Sequence, residues 1–141
     1  MDLIKLEEHL KLNIPEIDAQ HEELIGLINR LHETMLQGAE KAALDDLLSQ
    51  LIEHTRTHFA TEEQLMSQYG YPAFEAHKSE HSRLMQHLEG LAKRYDDGEL
   101  LLSFAVVLEL KAWAMVHIEK SDKPLGAYII SRERGETAPG K

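Results

Sequence analysis

Apolar residues recur along this chain at alternating steps of three and four, the period of a helix that buries one face. In the first such stretch His21, Leu24, Ile28, Leu31 and Met35 share a stripe, with Asp18 placed as N-cap and Gly38 just past the end. The second runs from Lys41 to about Gln68 and carries Leu44, Leu47, Leu48, Leu51, Thr55, His58, Glu62 and Leu65. The third, from about Pro72 to Tyr95, carries Phe74, His77, His81, Leu84, Leu88, Leu91 and Tyr95. The fourth, from about Glu99 to Lys120, carries Leu102, Val106, Leu110, Trp113 and His117. Tyr69-Gly70-Tyr71-Pro72 and Asp96-Asp97-Gly98 read as the turns between them. Residues 1–17 have no clean period, and Asn13-Ile14-Pro15 interrupts any helix there. They read as an arm packed along the body through Leu10, Leu12, Ile14 and Ile17. Leu125 to Ile130 predicts a short helical turn on the bundle end, and 132–141 a disordered tail. Helices of comparable length with short connections predict an all-α fold over 18–131, an up-down-up-down four-helix bundle.

Several of the stripe positions are polar. His58 and Glu62, and then His77 and His81, are two i, i+4 pairs, so each pair lies on one face about 40° apart. The pairs are equidistant from the Tyr69–Gly70 bond. A hairpin there sets Glu62 level with His77 and His58 level with His81. Burying a bare carboxylate such as Glu62 among leucines costs several kcal/mol unless a cation accompanies it. Alternating helix directions also bring the start of the first helix and the end of the fourth to that level, adding His21 and His117. Asp122 follows His117 by five residues, about 140° around a continuous helix. Pro124 biases Lys123 away from the helical region, which predicts that the helix ends near Ser121 and that Asp122 turns back to the cluster. The simpler reading of Asp122 alone is a solvated turn residue.

The 141 residues suit one domain and carry no Cys, which excludes disulfides, thiolate zinc sites and a thiol nucleophile and fits a cytoplasmic setting. The net charge of -10 and the lack of a basic run argue against nucleic acid and anionic membrane as partners. The apolar run Leu100 to Leu108 is too short to span a bilayer, and the N-terminus lacks the apolar core of a signal peptide. Nine His in such a chain direct attention to metal. Five imidazoles and two carboxylates exceed what one ion takes, and suit two ions bridged by the carboxylates, three His on one and two on the other. The ion with two His keeps an open position for a small ligand. The mixed donor set suits iron and would also take zinc, cobalt or manganese. No Glu stands three residues before any His, which separates the pattern from ferritin-like di-iron proteins.

The sequence Ile17-Asp-Ala-Gln-His21, His58-Phe-Ala-Thr-Glu-Glu63 with Met66 and Tyr69-Gly-Tyr-Pro72 after it, His77-Lys-Ser-Glu-His81, Trp113, and His117-Ile118 ahead of Asp122 resembles the hemerythrin family in its single-domain bacterial form, over roughly residues 12–130. The resemblance implies a non-haem di-iron centre that binds O2 reversibly, for storage, delivery or sensing. By that resemblance His77, His81 and His117 hold one iron, His21 and His58 the other, and Glu62 and Asp122 bridge them together with an oxo or hydroxo group. O2 would bind at the iron held by His21 and His58. Two positions depart from the family's pattern. Asn13 stands where the arm usually has Gly, and Ala114 stands where a Leu usually lines the O2 pocket. The smaller Ala114 predicts a roomier pocket, with faster oxidative loss of bound O2 or easier entry for azide or nitric oxide.

A non-enzymatic binding protein is the first reading, since the chain shows no nucleophile or further cofactor motif. A di-iron peroxidase, oxidase or nitric-oxide-handling enzyme is the alternative, and an iron or other metal store a third. An unidentified reductase or oxygen-consuming protein is the expected partner. Of the remaining His, His9, His32 and His87 read as surface or half-buried residues, and His54, one turn before His58, as a candidate for a supporting role. Glu22, Glu23 and Glu63 read as solvated charges.

Overall fold

The structure, a computed structural model, describes residues 10–38, 40–100 and 103–135. His9 and the rest of the arm before it, Leu102 of the fourth stripe, and the tail from residue 136 lie outside these. Among the described residues the order is α1 (Pro15–Leu36), α2 (Lys41–Tyr69), α3 (Phe74–Asp96), α4 (Phe104–His117), a π-helical turn (Ile118–Asp122) and α5 (Lys123–Glu133). The fold is the expected all-α bundle: α1 packs on α2 and α4, and α2 on α3.

The first helix begins earlier than expected. Pro15 opens it, where a missing N–H costs nothing, and Ile14 is the N-cap. Asp18 lies inside the helix, and its carboxylate accepts from the backbone N–H of Leu12 at 2.8 Å and of Asn13 at 3.0 Å. It therefore caps the chain before the helix. These two bonds hold Asn13 at φ 63°, a left-handed conformation that Asn tolerates better than most side chains. That geometry accounts for Asn at a position where the resemblance has Gly. The arm then seats Leu10 and Leu12 in the core, with Leu12 against Gly126 of α5.

At the other end of α2, Gly70 adopts φ 63°. The N–H of Tyr71 bonds to Met66 O at 2.9 Å and that of Gly70 to Ser67 O at 3.3 Å, closing a Schellman motif. The hairpin expected from Tyr69-Gly70 is thus present, but Pro72 and Ala73 belong to the turn and α3 starts at Phe74.

The fourth helix also differs. It does not stop near Ser121; helix runs without a break from Phe104 to Glu133 and widens between Ile118 and Asp122. Lys123 N–H bonds to Ile118 O, five residues back. Pro124 supplies a reason, since a proline in regular α-helix clashes with the carbonyl four residues earlier, here Lys120. The wider turn relieves that position and adds a residue to the coil.

The main core, including Ile17, Ile28, Leu51, Val107 and Leu110, fills the body of the bundle. A smaller cluster of Met66, Leu125 and Ile129 lies beneath the Gly70 turn. Each such side chain contributes about 1.5–3 kcal/mol by leaving water. Along α2 and along the C-terminal helical run, the polar stripe residues fall between these two apolar clusters.

Candidate metal centre

All seven expected residues come together. His21, His58, Glu62, His77, His81, His117 and Asp122 are each buried, and Glu62 and Asp122 are completely so. They form two overlapping groups: Glu62, His77, His81, His117 and Asp122 in one, and His21, His58, Glu62 and Asp122 in the other. Donor atoms within each group lie within 4.8 Å of one another.

The two carboxylates divide their oxygens between the groups. Glu62 Oε1 lies 2.9 Å from His81 Nε2 and 3.3 Å from His77 Nε2, while its Oε2 lies 3.0 Å from His58 Nε2. Asp122 Oδ1 lies 3.1 Å from His117 Nε2 and 3.2 Å from His77 Nε2, while its Oδ2 lies 2.9 Å from His21 Nε2. All five imidazoles thus present Nε2 inward. Among the described residues, His58, His77 and His117 Nε2, Glu62 Oε2 and Asp122 Oδ1 are buried without a well-formed hydrogen bond. Buried polar atoms are nearly always paired, so imidazole nitrogens and carboxylate oxygens that converge and can all offer lone pairs fit cations held between them.

Electrostatics support the same fit. Burial pushes each imidazole towards neutrality, but Glu62 and Asp122 outweigh it. They raise His58 and His77 to about 9 and His117 to about 11, and raise His21 as well. Burial likewise pushes Glu62 up, and His58, His117 and His21 hold it well below its ordinary range. Burial and Glu62 both push Asp122 up, yet His117, His21 and His58 keep it below the usual carboxylate range. Protonated imidazoles therefore neutralise the two carboxylates in the metal-free chain, and metal ions would take the place of those protons.

The outward Nδ1 atoms follow a pattern the sequence reading missed. Gln20 Oε1, next in sequence to His21 of α1, lies 2.7 Å from His58 Nδ1 on α2. Glu63 Oε2, next to Glu62 of α2, lies 3.0 Å from His81 Nδ1 on α3. Glu80 Oε1, next to His81 of α3, bonds His117 Nδ1 on α4, and Ser121 Oγ donates to the same oxygen at 2.8 Å. Each of the first three helices thus uses the neighbour of its own inward residue to fix an imidazole on the next helix. Glu63 is accordingly not the solvated charge expected of it. Burial pushes the Glu80 carboxyl up, but His117 and Ser121 draw it below its ordinary value. Phe59 adds a further contact: its ring stacks on His81 with centroids 3.9 Å apart and planes 6° from parallel. Side chains at i±1 from an inward residue are the signal for these partners, but the pairing needs the helix rotations.

The other described His stay off the cluster. His54 Nδ1 pairs with Glu23 Oε2 at 3.1 Å and His87 Nε2 with Glu109 Oε1 at 3.1 Å, all four residues exposed. His32 is half-buried. A cavity of about 20 Å³ adjoins His21, His58, His117 and Asp122 and is otherwise walled mainly by apolar side chains, among them Leu24, Ile28, Trp113 and Ala114. His77 and His81 do not line it. The space suffices for a water-sized group and is far below the several hundred Å³, roughly, of an ordinary small-molecule pocket.

The hemerythrin HHE cation-binding domain matches residues 12–129. A bacteriohemerythrin of Methylococcus capsulatus is 32% identical over 117 residues, covering 83% of this chain and 88% of that protein. One from Pseudomonas aeruginosa is 34% identical over 116 residues, 82% of this chain and 74% of the other. The crystal structure of a wild-type hemerythrin superposes with a TM-score of 0.83 at 30% identity, covering 89% of this chain and 96% of that one. The match spans the arm from Leu12, all the inward residues and most of α5, and on it the chain belongs to the hemerythrin HHE cation-binding family.

Proposed function

We propose that this protein binds O2 reversibly at a non-haem di-iron centre in which His77, His81 and His117 hold one iron, His21 and His58 hold the other, and Glu62 and Asp122 bridge. The division of carboxylate oxygens carries this reading: Oε1 and Oδ1 face the three-His group, Oε2 and Oδ2 the two-His group. Such bridging is the role a dinuclear centre asks of a carboxylate. When bound there, an iron pair would supply the two electrons that O2 takes up on binding and gives back on release. The chain's own part is to orient five imidazoles, exclude bulk water, and keep a small apolar space beside the His21 and His58 group.

That space admits only small ligands, so azide and nitric oxide join O2 as candidates. No larger substrate fits there, so any turnover at this site would also be confined to molecules of that size. The enzyme reading, a peroxidase or oxidase, rests on Ala114 in the cavity wall, where a small side chain leaves room beside the open position. No helix among the described residues is long and apolar enough to cross a membrane. We place the protein in the cytoplasm on the lack of Cys, and infer a separate reductase that keeps the irons ferrous.

The test is iron analysis with an ultraviolet–visible spectrum of the reduced protein before and after air. Two irons per chain and a charge-transfer band that appears in air and fades under vacuum are the expected result. One zinc per chain, or a spectrum indifferent to air, overturns the proposal.

A further inference from the structure

The supports on the outward side of the imidazoles are not alike. In the three-His group, His81 Nδ1 meets the Glu63 carboxylate at 3.0 Å, and His117 Nδ1 meets that of Glu80. In the two-His group, His58 Nδ1 meets an amide, Gln20 Oε1, at 2.7 Å. The orientation of that amide is fixed, because Gln20 Nε2 donates to Thr61 Oγ1 at 3.2 Å while Thr61 Oγ1 donates to Thr57 O at 3.1 Å. His21 Nδ1 is buried with no hydrogen-bond partner among the described residues. Two anionic acceptors therefore stand behind one group, and one neutral acceptor behind the other.

An imidazole that gives Nε2 to a metal keeps its proton on Nδ1 and donates it outward. A carboxylate acceptor draws that proton and makes the ring a stronger, more anionic donor, whereas an amide does so weakly. A more anionic donor set favours the ferric over the ferrous state. Resting on the di-iron reading above, we propose that Glu63 and Glu80 are positioning residues that lower the ferric/ferrous potential of the three-His iron, so that the two irons are electronically unequal before any ligand arrives. The couple is one electron per iron, passed to bound O2 in function and to a redox mediator in a titration. The more readily oxidised iron would be the one that touches the cavity through His117 alone, and the iron held by His21 and His58, both of which line the cavity, would take the ligand. Phe59, stacked on His81, and Ser121, bonded to Glu80, hold the two carboxylate–imidazole pairs in line.

The test is a spectroelectrochemical titration of the iron-loaded wild type, Glu63→Gln, Glu80→Gln and Gln20→Glu. Each Glu→Gln change keeps shape and removes charge. It is expected to shift the ferric-to-ferrous ratio at fixed potential about tenfold towards ferrous, about 59 mV for one electron. Gln20→Glu, which adds charge behind His58, is expected to shift it towards ferric. A wild type with two irons and variants with unchanged potentials overturns the inference and leaves the di-iron reading standing. Loss of iron from the Glu→Gln variants with an unchanged potential in what remains assigns these residues a structural role alone, and also overturns it. A wild type that holds no iron pair overturns both.

Discussion

His117 Nε2 and Asp122 Oδ1 lie 3.1 Å apart although they are five positions apart on one unbroken helical run. In regular α-helix that spacing would set them about 140° apart. The π turn at Ile118–Asp122 closes the angle, because five residues then make roughly one turn. The widened coil thereby delivers the second of the two carboxylates.

Asp122→Asn keeps the shape of that side chain and removes its charge. The expected outcome is fewer than two irons per chain, with helical circular dichroism retained. Iron analysis beside the dichroism spectrum checks it, and full iron occupancy would deny Asp122 a bridging role.

The metal-free chain should have an alkaline weakness. His58 and His77 stand at about 9 and His117 at about 11 in the folded protein, above the ordinary 6.5, so folding binds their protons more tightly. That contribution is complete below pH 6.5 and is lost as pH rises through about 9 and then about 11. Glu62 and Asp122 lie below their ordinary 4.5 and 3.8, so their contribution is complete above about 4.5 and is lost only in acid. Thermal melts of chelator-treated protein should therefore peak between about pH 4.5 and 6.5 and fall from about pH 6.5 upward, through about 9 and on towards about 11. Iron-loaded protein should hold its melting temperature across the same alkaline range, since metal has replaced the protons.

Ala114→Leu tests the cavity. The added carbons project from a buried position in the wall beside His21 and His58. Several-fold slower autoxidation of the oxygenated protein and slower azide entry are the expected effects, measured by decay of the charge-transfer band and by stopped flow. Equal rates in the two proteins would mean that this side chain does not control access.

Gly126→Ala sets two effects against each other. Replacing a helical Gly gains up to about 1 kcal/mol of helix propensity. The new Cβ would stand 2.8 Å from Leu12 Cγ and 2.9 Å from its Cβ. Leu12 cannot easily withdraw, because it is buried and its N–H is tied to Asp18 at 2.8 Å. Overpacking costs about 1–3 kcal/mol, so the clash wins and the melting temperature should drop by a few degrees. An unchanged melt would show that the arm yields.

Most of the bundle was legible because the inward stripe carries both its leucines and its ligand-type residues at one period. The mirrored pairs about Tyr69–Gly70 gave the level of the site, and the Schellman turn realises it. Three things escaped. Asp18 reads as an N-cap from its neighbours, but its bonds run backwards to Leu12 and Asn13, which depends on how the arm folds. Pro124 signals a disturbance without saying whether the helix stops or widens. Gln20, Glu63 and Glu80 sit beside inward residues, where a polar side chain usually faces solvent. Only the relative rotation of neighbouring helices turns them onto the next imidazole.

Asp122 and His21 are a hundred and one positions apart in the chain and meet at 2.9 Å. A metal pair between them would therefore cross-link the first helix to the C-terminal run and tie both to the central hairpin. Iron so placed would act as a reversible staple, suppressing the partial openings by which a protease gains access to the chain. The lifetime of the protein in a cell would then report how much iron that cell has to spare.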